Sequence, residues 1–493
     1  MPSAMRSRVP ALRICDANAQ PLRADGDYVL YWMIAARRTR WSFALERALE
    51  HARAFGKPLL VFEALRVDYR WASDRFHRFV LDGMSERGSR LERAGIHYFP
   101  YVEPIAGAGK GLFESLAARA CVVVTDESPG FFLPRVVARA AQRTSVRVES
   151  IDGNGLLPLR AAPRVYERAF DFRRHVQKTL VSHLADAPLP DPLASLRRAP
   201  LPPLASLPRD LLARFPPASP ALLAGAPAAL AALPIAHDVP PVSCRGGARA
   251  ARARLAQFLD SRLARYAERN HPDADAASGL SPYLHFGNLS AHEVFAAVAE
   301  HEDWSPDRVA PRVTAKARGF WGMSEAAESF VDQLVTWREL ALHTAHFRPD
   351  SDQYDSLPTW ARGTLEKHSS DRRAHRYDRA ALESAETHDV LWNAAQRELV
   401  REGRMHNYLR MLWGKKVLEW AASPREAFEI LLTLNDKYAL DGRDPNSVAG
   451  VAWVFGRYDR PWPERPIFGV VRSMTSESAR KKLHLERYLA RFG

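Results

Sequence analysis

Cysteine is scarce in this chain of 493 residues: there are three, Cys15, Cys121 and Cys244, and no two have CxxC spacing. An all-cysteine zinc or iron–sulfur site needs four, so that chemistry is excluded, and no metal site is expected. Thiols without a disulfide framework suit a reducing compartment, and the expected localisation is cytoplasmic. Long apolar runs are also missing; the Ala/Leu-rich piece at 221–236 is broken by Pro227 and Pro234, so no membrane span is expected. The N-terminus carries positive charge but no apolar segment before Cys15, which argues against a signal peptide. No G-x-G-x-x-G follows the first apolar run. GAGKG at 107–111 lacks Walker A spacing and the hydroxyl residue after Lys110, and reads as a plain loop. Acidic residues are outnumbered, 57 against 70 basic, giving +13 and a pI near 9.8. That excess suits a polyanionic partner such as nucleic acid, and equally suits Arg-rich solvated faces.

The chain is too long for one ordinary core, which predicts two domains and a linker. In the first half, the apolar runs DYVLYWM, PLLVFEAL, HYFPYVE, CVVVTDES and VRVESIDG alternate with amphipathic stretches at 41–55 and 74–94. This pattern predicts βαβ units in an open, mostly parallel, Rossmann-like α/β domain over 25–185, closed by a helix over 165–184. Its strand ends could hold a ligand at a topological switch point. Fourteen of the 35 prolines then fall between Pro188 and Pro241. They predict a connector over 186–246, draped on the surface with a short helix near 209–215. After about Gly247 the period is helical, at 249–266, 291–301, 326–344, 389–402, 406–421 and 424–434. Ser423, Pro424 and Glu426 mark a helix start. The second domain, 247–493, is expected to be an all-helical bundle.

The residues with most chemistry lie between Trp392 and Trp462. Trp413 and Trp420 are seven apart on one predicted helix, roughly 10 Å of rise, with Arg410 one turn earlier. Asn435 and Asp441 are expected in the loop beyond the next helix. Polarizable rings in series, ending near an Arg and an Asp that could pair, suit electron movement to a buried redox cofactor. An aromatic-rich helical core explains the same spacing, and on spacing alone it is the stronger reading. Upstream, the loop over 269–294 sets Ser278, Ser281 and two glycines before a helical pattern. This could hold a phosphate, although a capped loop would look much the same.

SGLSPYLHFG, LWNAAQRELVREGRMHNYLRMLWGKKVLEW, NDKYALDGRDPN and DRPWPERPIFGVVRSM resemble the flavin-binding domain of photolyases and cryptochromes, most closely the class II cyclobutane pyrimidine dimer photolyases. The likeness runs from about Tyr266 to the C-terminus, and the order of α/β half, connector and helical half is also that family's. The resemblance implies FAD folded into a U-shape. Ser278, Gly279, Leu280 and Ser281 match the segment on its phosphates, and Tyr266 and Asn407 match further cofactor contacts. Arg410 and Asp441 match a pair beside the isoalloxazine, and Asn435 matches the asparagine facing flavin N5. Trp413, Trp392 and Trp420 match a relay running from nearest the flavin outward to solvent. Trp337 and Trp453 match substrate-facing tryptophans, and Arg460 and Trp462 match the stretch that enters the bubble left by flipped-out bases. Arg465, Arg472, Arg480, Lys481 and Lys482 are candidates for DNA phosphate contacts. The implied partner is damaged DNA, bound by a monomer. An antenna chromophore, deazaflavin or folate, could occupy the first domain, but no residue there identifies one.

The chain departs from the family pattern at two points. The glutamate usual four residues before the substrate tryptophan is Gln333 here, which offers an N–H donor but no proton. The usual Asn-Gly after DGRDP is Asn446-Ser447. Gln333 keeps two alternatives to dimer repair open: a cryptochrome-like blue-light photoreceptor, and a photolyase for a different lesion. The absence of a long tail after Met474 counts against the photoreceptor.

Overall fold

A computed structural model of the chain, describing residues 7–493, divides it into two units. The first takes the chain through Pro163, then Thr179–Leu255 and Leu280–Ala297; the second takes Arg164–Lys178, Ala256–Gly279 and Val298–Gly493. The chain therefore enters and leaves each unit more than once.

The five predicted strands form, as β2 (Tyr28–Met33), β3 (Leu59–Leu65), β4 (His97–Val102), β5 (Ala120–Glu127) and β6 (Val148–Asp152). A sixth strand, β1 (Ile14–Asp16), pairs antiparallel with β6, so the sheet order is β1-β6-β5-β2-β3-β4 with all other pairs parallel. β1 leaves no trace in the sequence pattern because three residues show no period. Buried Arg13 anchors the strand by donating to the Leu156 carbonyl at 2.6 Å. The near-continuous apolar runs follow from burial on both faces. Val29, Tyr31 and Met33 enter one core cluster, and Tyr28, Leu30 and Trp32 enter the other.

At the β2/β5 switch point the loop after β2 is tied down by the protein itself. Asp126 accepts hydrogen bonds from the amides of Ile34, Ala35 and Ala36 at 2.8–2.9 Å and from the Tyr31 hydroxyl. Backbone at Gly287 lies so close that a Cβ there would come within 2.0 Å of the Ala35 carbonyl oxygen. The proline-rich connector is not merely draped: Leu193 and Leu196 enter one core cluster, and Leu207, Leu211 and Phe215 the other. Its prolines also start helices rather than only interrupting them, at Pro192–Arg197, Pro220–Leu223 and Pro227–Ala231. A first-turn proline lacks only an N–H that has no intrahelical partner.

The second unit is helical. Val390–Glu402, Asn407–Trp420 and Pro424–Tyr438 pack in sequence, and Ser423 caps the last by accepting from the Glu426 amide. Gly414 lets the Asn407–Trp420 helix meet Pro445–Val454, since a Cβ there would lie 2.4 Å from Val454 Cγ2. The helix predicted over 326–344 is interrupted: Glu325–Val331 and Arg338–Phe347 flank a π-helical turn at Asp332–Trp337, closed by the Arg338 amide on the Gln333 carbonyl. Periodicity cannot show one inserted residue when the apolar stripe continues through it. No helix among the described residues is long and apolar enough to cross a membrane.

Candidate functional site

A cavity of about 980 Å³ opens in the second unit, and its wall includes Gln333, Trp337, Asn407, Arg410, Trp453 and Trp462. These residues come from four separate stretches of chain. Five cations, Arg269, Arg410, Arg465, Arg472 and Lys482, also line it, and no carboxylate does. Such a wall suits an aromatic ligand carrying negative charge.

Gln333 and Trp337 both sit on the π turn. Such turns are rare and collect at functional sites, because the extra residue re-aims side chains without ending the helix. The turn is held from outside by Arg173, whose guanidinium meets the Asp332 carboxylate at 2.6 and 3.0 Å.

Of the wall residues, Arg410 pairs at 3.2 Å with Asp441, which like Asn435 does not itself line the cavity, both side chains of the pair being about one-sixth exposed. Asn435, expected in a loop, lies in the last turn of the Pro424–Tyr438 helix, while Asp441 is in the turn beyond it. The Asn435 Nδ2 donates to Ser447 Oγ at 2.6 Å and to Asp436 Oδ1 at 3.1 Å. Ser447 is in the first turn of the Pro445–Val454 helix, a conformation that needs no glycine, and its hydroxyl fixes the buried amide.

Behind this wall the three tryptophans form one connected file. The Trp413 and Trp392 rings stack at 6.4 Å and 10°, and Trp392 meets Trp420 edge-on at 5.6 Å. Trp392, from the neighbouring helix, thus fills the two-turn gap between the other two. Its Nε1 donates to the Trp413 carbonyl, and Trp413 Nε1 donates to Gln396 Oε1, both at 3.0 Å. Trp420, expected on the solvent side of the file, is 1% exposed, covered by Tyr377 at 5.4 Å and His388 at 5.3 Å.

Trp453 and Trp462 are held by charge. The Arg472 guanidinium lies 5.5 Å from the Trp453 ring and 4.1 Å from Trp462, and Asp459 ties it down at 2.9 Å. Lys415, fully buried, donates to the Val454 carbonyl and sits 5.0 Å from the Trp453 ring. Burial pushes its ammonium down to about 7, and Asp459 opposes that shift.

The chain is 34% identical to a deoxyribodipyrimidine photolyase of Methanothermobacter thermautotrophicus over 491 residues, covering 98% of each chain. It belongs to the deoxyribodipyrimidine photolyase family. A rice relative of the same name is 32% identical over 94% of this chain and 87% of its own. No family model matches. Among solved structures, a class III photolyase from Agrobacterium tumefaciens superposes with TM-score 0.66 at 19% identity, covering 96% of this chain and 87% of its own. A Synechocystis cryptochrome gives 0.64 at 15%, with 94% and 88% covered. At those identities the likeness is one of fold.

Within this photolyase-family chain Tyr266, Ser278, Gly279, Leu280, Ser281 and Arg460 are not among the residues lining the cavity. Tyr266 is buried against Phe258 and Phe330, with the Arg269 guanidinium 4.7 Å from its ring. Ser278 and Gly279 close one segment of the second unit, whereas Leu280 and Ser281 open a segment of the first. The helix that follows, Ser281–His285, has five residues, too few for its end to carry the dipole argument for phosphate binding. Arg460 is exposed and rests 5.4 Å from the Trp462 ring. Sequence reasoning missed Arg269, Asn270, Tyr408 and Met411 as wall residues. Only their adjacency to quoted motifs could have pointed to them.

Proposed function

We propose that this protein is a light-driven DNA-repair flavoprotein that splits cyclobutane pyrimidine dimers, with FAD as its cofactor. The observation that carries the reading is a cavity walled by Trp337, Trp453 and Arg410, with three buried tryptophans in contact running along the Arg410 helix. The residues fit FAD: the cavity is large enough, its charged lining is wholly cationic, and Arg410 faces it already braced by Asp441. Bound and reduced, FAD would supply the light-driven one-electron chemistry of repair.

The chain's own residues do the rest. Arg410 places a fixed positive charge where an anionic ring edge would lie. With both amide hydrogens engaged by Ser447 and Asp436, Asn435 presents its carbonyl oxygen as an acceptor, which favours a protonated ring nitrogen over a bare one. Trp413, Trp392 and Trp420 pass electrons inward to restore the reduced state, a task separate from repair. Trp337 and Trp453 stack on the flipped-out lesion and exclude water. Gln333 donates an N–H to a pyrimidine carbonyl and leaves protonation to other groups. Trp462 and Arg460 enter the vacated bubble, and Arg465, Arg472 and Lys482 neutralise backbone phosphate. The second unit is the catalytic part and the first the antenna-type domain, working as a monomer in the cytoplasm. Deazaflavin or folate is the antenna class to test.

The deciding experiment illuminates the reduced protein with dimer-containing DNA and measures restored pyrimidines. Absence of light-dependent repair by the wild type sinks the proposal. A cryptochrome-like photoreceptor is favoured by one observation, Gln333 in the cavity wall, and predicts flavin photoreduction without repair of any lesion.

A further inference from the structure

The segment that carries Trp462 and Arg465 into the cavity wall is a tight hairpin. The Trp462 amide donates to the Val470 carbonyl at 2.8 Å, and Arg465 and Gly469 exchange hydrogen bonds at 2.9 and 2.8 Å across the tip. At that tip Ile467 has φ 68°, a conformation a β-branched residue adopts only under strain. Strain of this kind persists only where surrounding contacts over-determine it.

Those contacts come from the end of the Thr359–Lys367 helix and the turn after it. Ile467's amide donates to Asp371 Oδ2 at 2.7 Å, and Val470's amide donates to Thr364 Oγ1 at 3.1 Å. Gly469, at φ 53°, sits so close that a Cβ would lie 2.0 Å from Thr364 Oγ1 and 3.0 Å from the His368 ring. His368 joins the two sides: its Nδ1 meets Asp371 at 2.7 Å and its Nε2 meets Glu464, on the hairpin, at 2.9 Å. Ionised carboxylates only accept, so a ring that satisfies both must carry both protons.

We infer that His368, as an imidazolium clasped between Asp371 and Glu464, is the positioning residue that holds the 462–470 hairpin in its strained shape and so sets the preference for a lesion in duplex over single-stranded DNA. The inference rests on the reading of that hairpin as the part that enters the duplex. A single strand has no bubble to fill, so only the duplex depends on the hairpin's shape. Glu464 and then Asp371 raise the pKa of His368, so the clasp is intact below that raised value and is lost as pH climbs through it. Lys367 also binds Glu464, at 2.8 Å, and Arg373 adds its charge beside Asp371; neither titrates in that window.

The test measures affinity, by fluorescence anisotropy, for one thymine dimer in a duplex and the same dimer in a single strand. His368→Ala and Asp371→Asn are each expected to weaken duplex binding about fivefold, the scale of exposed ion pairs, and single-strand binding by less than about twofold. The wild type is expected to lose duplex affinity at alkaline pH, and His368→Ala to lack that step. Without DNA, hydrogen exchange at the Ile467 and Val470 amides speeds up in both variants. An unchanged duplex-to-single-strand ratio, equal losses on both substrates, or unaltered exchange overturns the inference. A wild type that binds the dimer in neither form removes the photolyase reading instead, while the exchange data still report on the clasp.

Discussion

Replacing Trp392 by Phe tests the tryptophan file at its centre. Trp392 is fully buried and links Trp413 to Trp420 by steps of 6.4 and 5.6 Å between ring centroids. Without it the two remaining indoles are seven residues apart on one helix, about 10 Å of rise with no ring between that oxidises readily. Phe keeps one six-membered ring in the stack and loses the Nε1 hydrogen bond to the Trp413 carbonyl, worth about 1 kcal/mol net. Adding a small cavity, the loss of stability is about 2 kcal/mol, well under the ~3–5 kcal/mol of a Trp→Ala change, so the variant folds. The assay has two arms. Photoreduction of oxidised flavin, followed by its absorbance under blue light, is expected to fall to near background. Dimer repair by chemically reduced protein is expected to stay close to wild type. Photoreduction at the wild-type rate in a folded Trp392→Phe variant would refute the relay, and loss of repair in the pre-reduced variant would refute the separation of the two tasks.

Gln333→Glu is expected to raise the repair yield per photon, measured on reduced enzyme with dimer DNA; the new carboxylate faces a wall rich in cations. Arg410→Gln removes a charged contact worth about 1.5–3 kcal/mol, and flavin retention on a desalting column is expected to drop roughly ten- to a hundredfold in affinity. Lys415 binds fewer protons folded than unfolded between about pH 7 and its ordinary value of 10.5, so its burial penalty is fully present below about 7 and fades as pH rises. Lys415→Met is therefore expected to be more stable than wild type at neutral pH, the gap closing by up to ~1.4 kcal/mol per pH unit in urea melts above that.

Much of the fold was legible because burial leaves a periodic trace. The five long strands read as apolar runs because β2 to β6 are covered on both faces, and the helix at 424–438 declared its start through Ser423 and Pro424. The connector is only partly legible because its many prolines mask the leucines between them that complete the first unit's core. Asn435 reads as a loop residue in sequence because no breaker marks where its helix ends. At the switch point a side chain from β5 and the backbone at Gly287 hold the loop after β2 through contacts about ninety and two hundred and fifty positions apart in sequence, which no local pattern shows.

Sequence by itself determined the residue types: twelve tryptophans, an excess of base, an Arg and an Asp spaced to meet, and a glutamine where a glutamate is usual. It could name Trp392, Trp413 and Trp420 through resemblance, but not their contact. Tertiary structure decided that Trp392 fills a two-turn gap, that Trp420 is roofed by Tyr377 and His388, and that a π turn carries both Gln333 and Trp337 into the wall. The reason is physical. Periodicity reports which face of an element is buried, whereas ring-to-ring distance, the aim of a side chain and the clasp on a strained hairpin depend on which other elements are packed against it.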